Sequence, residues 1–242
     1  MHGWRSLLCL ILYGGSVTVF AADWHAQSGP QRTVMIELYT SEGCNSCPPA
    51  ERFLNSLVDN SRLWQTYIPL AFHVDYWDYL GWRDRFAKSA YSQRQREYAR
   101  VLHARTVYTP EFFVNGKEWR RSLFAGMPAT SAEDAGVLKL NLQQTQLTAS
   151  YSAHANQGPL QLHLAILGMG LTSDIHAGEN AGRHSVHEFV VLTHTQLVSE
   201  NAHWQTTLPA VTDIKPARKA LVAWVSAAGN PSPLQATGGF LP

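Results

Sequence analysis

Cys44 and Cys47 are spaced Cys-x-x-Cys, and Pro48-Pro49 follow them directly. A thiolate, rather than a thiol, attacks a disulfide. The free N–H groups and positive dipole end of a helix N-terminus both lower a thiol's pKa. Proline is tolerated in the first turn of a helix and not beyond it, so the pair is expected at or just before a helix N-terminus. In such a turn the first cysteine is expected at the surface and the second deeper. Cys44 is then the nucleophile, and Cys47 resolves the mixed disulfide intramolecularly. Two other uses of the pair compete with this one. A zinc site needs two more ligands, and no second Cys-x-x-Cys or paired histidines lie at a matching spacing. A disulfide placed for stability would close a longer loop: the chain-entropy model gives about 2 kcal/mol for four residues, against about 3 for fifteen.

The elements around the pair suit this chemistry. Thr33–Thr40 (TVMIELYT) is β-branched and aromatic and breaks at Ser41-Glu42-Gly43, which predicts a strand leading into the cysteines. Ala50–Val58 carries Phe53, Leu54, Leu57 and Val58 at helical spacing. Tyr67–Val74 is a second apolar strand, so the three elements form a right-handed β-α-β unit with a parallel pair. An aromatic loop, Asp75–Trp82, and a polar helix-forming stretch, Arg83–Arg105, follow. Then come Thr109-Pro110, a strand Glu111–Val114, a turn at Asn115-Gly116, and a return strand Lys117–Ser122. Ser131-Ala132-Glu133-Asp134 resembles a capping box and predicts a helix to about Leu140. Beyond it, short alternating or β-rich runs (Gln146–Ser152, Leu160–Leu167, His187–Val198, His203–Leu208, Lys219–Ala227) predict a small antiparallel β-sandwich.

Composition bounds the class. Of 242 residues, 45% are hydrophobic and 15% charged, ample for a core and too little charge for disorder. A net charge of +1 gives no electrostatic basis for nucleic-acid binding. Residues 1–22 read as an export signal. Arg5 supplies the positive start, Leu7–Phe20 is apolar or small, and Phe20-Ala21-Ala22 ends in small residues. The apolar stretch falls short of the about 20 residues of a bilayer span. Cys9 would leave with it, and Cys44 and Cys47 remain. The mature chain is expected outside the cytoplasm, periplasmic or secreted, without a membrane span and as a monomer.

The order β-α-β, helical connection, Thr-Pro, hairpin and final helix resembles the thioredoxin fold over about Thr33–Leu140. The resemblance implies a cis Thr109–Pro110 bond lying against the cysteine pair, with the Thr109 backbone pairing a bound substrate chain like an added strand. It also implies a buried acid beneath the second cysteine to move its proton, here Glu37. The Cys-Gly-Pro-Cys of ordinary thioredoxins is replaced by Cys44-Asn45-Ser46-Cys47, with the prolines after the pair. More closely, the strings IELYTSEGCNSCPPAERFL, LAFHVDYWDYLGWRDRF, RTVYTPEFFVNG and GENAGRHSVHEFVV resemble the bacterial exported domain-of-unknown-function family twelve twenty-three. That resemblance implies a thioredoxin-like fold with a C-terminal extension and carries no reaction with it.

The expected architecture is therefore a signal peptide at 1–22, an α/β thioredoxin-like domain at 30–143, and a β-sandwich-like domain at 144–242. The expected function is thiol–disulfide exchange with protein or peptide thiols and disulfides. The Cys44–Cys47 couple is the redox centre, and no other cofactor or metal is needed. Ligands gather at the carboxyl ends of parallel strands, so Asp75, Tyr76, Trp77 and Trp82 are candidate substrate contacts beside Thr109 and Pro110. The loop Gly178–His184 carries Glu179, Asn180 and Arg183 and is expected to face the aromatic loop. His176, Glu179, His184 and His187 have no metal-site spacing. A copper chaperone using Cys44, Cys47 and His73, and a binding or scaffold protein with a vestigial cysteine pair, are the alternatives.

Overall fold

The structure is a computed structural model that describes residues 23–120, 126–152, 158–211 and 213–242. The expected export signal lies outside the described residues. In chain order the elements are β1 (Trp24–Gln27), β2 (Val34–Thr40), α1 (Pro48–Asn55), β3 (Tyr67–His73) and α2 (Ser89–Val101). Then follow β4 (Glu111–Val114), β5 (Lys117–Glu118), β6 (Val137–Gln143), β7 (Gln146–Ser152), β8 (Leu160–Met169) and β9 (Leu171–Asp174). The chain ends with β10 (His184–His187), β11 (Val190–Ser199), β12 (His203–Thr207), β13 (Arg218–Ala227) and β14 (Pro233–Phe240). The fold is a β-rich α/β arrangement of several sheets and few helices.

Its centre is one eight-stranded sheet in the order β14-β13-β8-β11-β3-β2-β4-β5. β2 and β3 are parallel, as the intervening helix requires, and β4 pairs antiparallel with β2. β11 lies on the other side of β3 and joins it in parallel at Val190–Ala71. This corrects the boundary expected at 143/144: one sheet runs straight across it. β8 and β13 alternate between two cores. Ala165, Leu167, Val222 and Trp224 pack with β2 and β3, while Leu164, Ile166, Leu221 and Val225 meet the other layer. Strands buried on both faces read in sequence much like strands of a sandwich.

That other layer is a four-stranded sheet, β1-β6-β7-β12. It includes β6 where a helix was expected. Leu138, Leu140 and Leu142 are buried at every second position, with Lys139 and Asn141 exposed between them. Gly136, at φ +72°, breaks the chain just before. The apparent capping box is a local turn in which Ser131 Oγ accepts from the Glu133 N–H.

Candidate functional site

β2 is buried along its whole length, and the turn Ser41–Cys47 carries the chain from its end onto α1. Pro48 and Pro49 occupy the first turn of α1, and Cys47 is its capping residue. Ala50 and Glu51 N–H both donate to Cys47 O, at 2.9 and 3.1 Å. Cys44 and Cys47 form a disulfide with Cα atoms 5.4 Å apart. The local placement is the expected one, but the exposure is not. Cys44 is 0% and Cys47 1% exposed, where the first cysteine was expected at the surface.

The loop after β9 covers the turn. Asn180, itself buried, donates through Nδ2 to Glu42 O at 2.8 Å and to Cys44 O at 2.9 Å. Glu179 accepts from the Asn45 N–H at 3.3 Å. Gly43 fits closely on the aromatic loop: a Cβ there would stand 3.1 Å from Trp77 Cβ. The Gly178 backbone in turn approaches Leu80 and Trp82. Glu179 and Asn180 thus sit on the cysteine turn, while Arg183 is exposed and anchors the loop through its backbone, accepting from Ile175 N–H.

The Thr109–Pro110 bond is cis. Trp77 Nε1 donates to Thr109 Oγ1 at 2.7 Å. Tyr76 OH donates to Gln95 Oε1 at 3.1 Å, and Gln95 Nε2 donates to Tyr108 O and to Glu111 Oε2. The aromatic loop and α2 therefore brace the Thr-Pro turn. Burial, with the charge of Glu118 adding to it, pushes the Glu111 carboxyl up to about 7. Asp75 is half-buried and accepts from Ser92 Oγ. Tyr79, at the tip of the loop, is exposed.

Glu37 is buried but does not lie beneath Cys47. Thr40 Oγ1 bonds Glu51 on α1, and side chains three apart on a strand point to opposite faces. Glu37 consequently faces α2, where Arg94 Nε donates to it at 2.9 Å and Tyr98 and Tyr39 hydroxyls bond it. It balances a buried arginine rather than serving the cysteines.

A family of proteins of unknown function, DUF1223, matches residues 35–226. The chain belongs to the DUF1223 family. That match spans the cysteine pair, the Thr-Pro turn and the Asn180 loop. No curated protein matches the sequence. Among solved structures, the DUF1223 chain is similar to protein AGR_C_4864 of Agrobacterium tumefaciens, at 21% identity and a TM-score of 0.56, over 87% of this chain and 94% of that one. It is also similar to HBP35 of Porphyromonas gingivalis, at 16% identity and a TM-score of 0.58, over 88% of this chain and 76% of that one. At such identities the likeness concerns the fold.

Behind the disulfide, this DUF1223 protein holds a buried group of acids and histidines that sequence spacing did not reveal. Glu42 sits two residues before Cys44 and is 2% exposed. It accepts from Trp82 Nε1 at 2.7 Å and from His187 Nε2 at 3.1 Å. Trp82 is thereby tied to the acid. The other ring nitrogen of His187 lies 3.3 Å from Glu51. His73 Nδ1 donates to Asp84 Oδ2 at 2.7 Å, and Asp84 also accepts from Glu42 N–H. Burial alone would push the His187 imidazole down; hydrogen bonds with Glu42 and Glu51, and their charges, outweigh it and raise it to about 10. Glu42 and Glu51 are held below the usual carboxylate range despite burial, chiefly by His187, and Asp84 despite burial by His73. These residues come from β2–α1, the end of β3, the loop after it and β10, so only the fold unites them. His184 pairs at the surface with Asp174 and His176 packs on Trp82, so the two do not join His187. Among the described residues no helix is long and apolar enough to cross a membrane.

Proposed function

We propose that the chain is an exported, thioredoxin-like thiol–disulfide oxidoreductase acting on protein or peptide thiols through Cys44 and Cys47. One observation carries the reading: a Cys-x-x-Cys disulfide at the head of α1, directly after a central parallel strand, in a chain that also holds a cis Thr-Pro turn before the hairpin. In the oxidised state a substrate thiolate attacks Cys44 Sγ. The Cys44–Cys47 bond breaks, a mixed disulfide forms on Cys44, and Cys47 leaves as a thiolate favoured by the helix N-terminus. A second substrate thiolate then attacks its own partner sulfur in the mixed disulfide and releases Cys44. Two substrate thiols become one disulfide, and the protein gains two electrons and two protons. Because both cysteines are covered, exchange requires the Glu179–Asn180 loop to lift from the turn. Trp77, which packs on Gly43, then borders the opening, with Thr109 bonded to it.

The test uses the reduced protein. Cys47→Ser should trap mixed disulfides with disulfide-bonded protein substrates, the Cys44 thiolate displacing one substrate thiolate, and Cys44→Ser should not. The wild-type couple should equilibrate with a glutathione or dithiothreitol buffer to one midpoint potential. A pair that never equilibrates, or trapping that is equal in the two variants, removes the oxidoreductase reading and leaves the disulfide as a local staple.

A further inference from the structure

His73, His187 and Glu51 meet below α1, and one potential ligand atom from each lies within 4.8 Å of those of the other two. We propose that these three side chains form a binding site for a divalent metal ion of the zinc class, distinct from the cysteine pair and independent of thiol chemistry.

Three observations carry it. First, His73 is 1% exposed, and its Nε2 has no hydrogen-bond partner. A buried polar nitrogen left unpaired is unusual in a native fold. Here it belongs to the histidine nearest an acid and a second imidazole. A purely structural ion network would be expected to satisfy it.

Second, one pair already has the spacing of a tetrahedral ion, while the three ligand atoms together lie within 4.8 Å of one another and would draw in on binding. Ligand atoms about 2.0–2.1 Å from such an ion stand about 3.4 Å from one another, and His187 Nδ1 lies 3.3 Å from Glu51 Oε2. Two imidazoles on one such ion hold their ring centres about 5.2 Å apart. The His73 and His187 ring centres are 5.3 Å apart, edge to face at 78°.

Third, each of the three already has the outer partner that metal ligands require. His73 Nδ1 donates to Asp84, His187 Nε2 is bonded to Glu42, and Glu51 Oε1 accepts from Thr40 Oγ1. Carboxylates behind the far nitrogen of a ligating histidine fix its tautomer and raise its basicity. Two histidines and a glutamate leave one tetrahedral position free, as in zinc sites that exchange a water or an external ligand. An entry path exists on the Glu51 side. A cleft of about 320 Å³ lies between α1 and β10, bordered by Glu51, Pro48, Arg52, Arg183 and His184. Glu51 is the one member of the three whose side chain is partly exposed, at 12%.

The experiment titrates the metal-stripped, oxidised protein with Zn²⁺ against a chromophoric chelator and repeats it with Co²⁺, read by visible absorption. One ion per chain is expected, with the intense d–d bands of a four-coordinate cobalt site. Glu51→Gln and His73→Gln should each weaken binding by more than about 100-fold, and Asp84→Asn by about 10–100-fold. Glu51 is at the cleft, so its variant should fold even if His73→Gln does not, and circular dichroism checks both. The Cys44→Ser/Cys47→Ser protein should bind as tightly as the wild type, so this test stands or falls separately from thiol exchange. Absence of stoichiometric binding overturns the proposal. So does binding that survives Glu51→Gln unchanged, which would place the ion on surface histidines. Binding lost in the double cysteine variant would assign it to thiolates and equally overturn the proposal.

Discussion

Asn180→Ala should open the cysteine pair to solvent reductants. Its side-chain amide makes two hydrogen bonds across the covering loop, to Glu42 O and Cys44 O, and it is 2% exposed. A net contribution of about 1 kcal/mol for each buried hydrogen bond puts the loss near 2 kcal/mol. Both acceptors are backbone carbonyls of the cysteine turn, so the loss falls on the closed loop and not on the open one. At 1.4 kcal/mol per tenfold, the open fraction rises about 30-fold. If loop opening is fast and reduction follows it, the pseudo-first-order rate of Cys44–Cys47 reduction by dithiothreitol should rise by the same factor of about 30. The assay follows thiol release under excess reductant well below the melting temperature, beside a thermal melt. A rate within about twofold of wild type, in a protein that still folds, would refute the gate: the disulfide would then be reached by a route that leaves Asn180 in place.

Three further outcomes follow from other contacts. Glu37→Gln should cost about 3–5 kcal/mol in chemical denaturation, because it strands a buried arginine. It should leave the dithiothreitol reduction rate of the folded protein unchanged; a specific loss of exchange would return Glu37 to the cysteines. His163 is buried between His194, Ser226 and Trp224, and burial, then the Arg94 charge, push its imidazole well below the ordinary value. The unfolded chain therefore takes up a proton below about pH 6.5 that the folded chain refuses, so stability should fall as pH drops from that point. A His163→Phe variant should flatten that slope, measured by denaturation at pH 7, 6 and 5. Trp77→Phe removes the bond to Thr109 Oγ1. It should raise KM for a thiol-bearing peptide several-fold with little change in melting temperature; an unchanged KM would place the substrate elsewhere.

The legible parts of the molecule were local ones. The β-branched run before Cys44 and the two prolines after Cys47 define strand, turn and helix with no distant information. So do Asn115-Gly116 and the polar stretch that becomes α2. Glu37 was misread because β2 is buried on both faces, so its sequence has no alternation to say which way an acid points. Leu138-Lys139-Leu140-Asn141-Leu142 does alternate, yet a helix-start signal upstream suggested the wrong period. The histidine–carboxylate group was invisible because its members stand as far apart as Glu42 and His187. β8 and β13 satisfied the pattern of a separate sandwich because their partners, not their composition, make them central.

The eight-stranded sheet sets a condition on how this chain comes to be folded. β3 is flanked by β2 on one side and by β11 on the other, and Thr33 is bonded to Gln235 near the far end of the sequence. A nascent chain that has reached residue 143 holds its cysteines and both parallel strands, yet the far edge of β3 has nothing to pair with. Such an unpaired edge invites another chain, and pairings this distant in sequence close slowly. The β3 edge stays open until β11 has been made, and a chaperone that shields it would act on this protein throughout that interval.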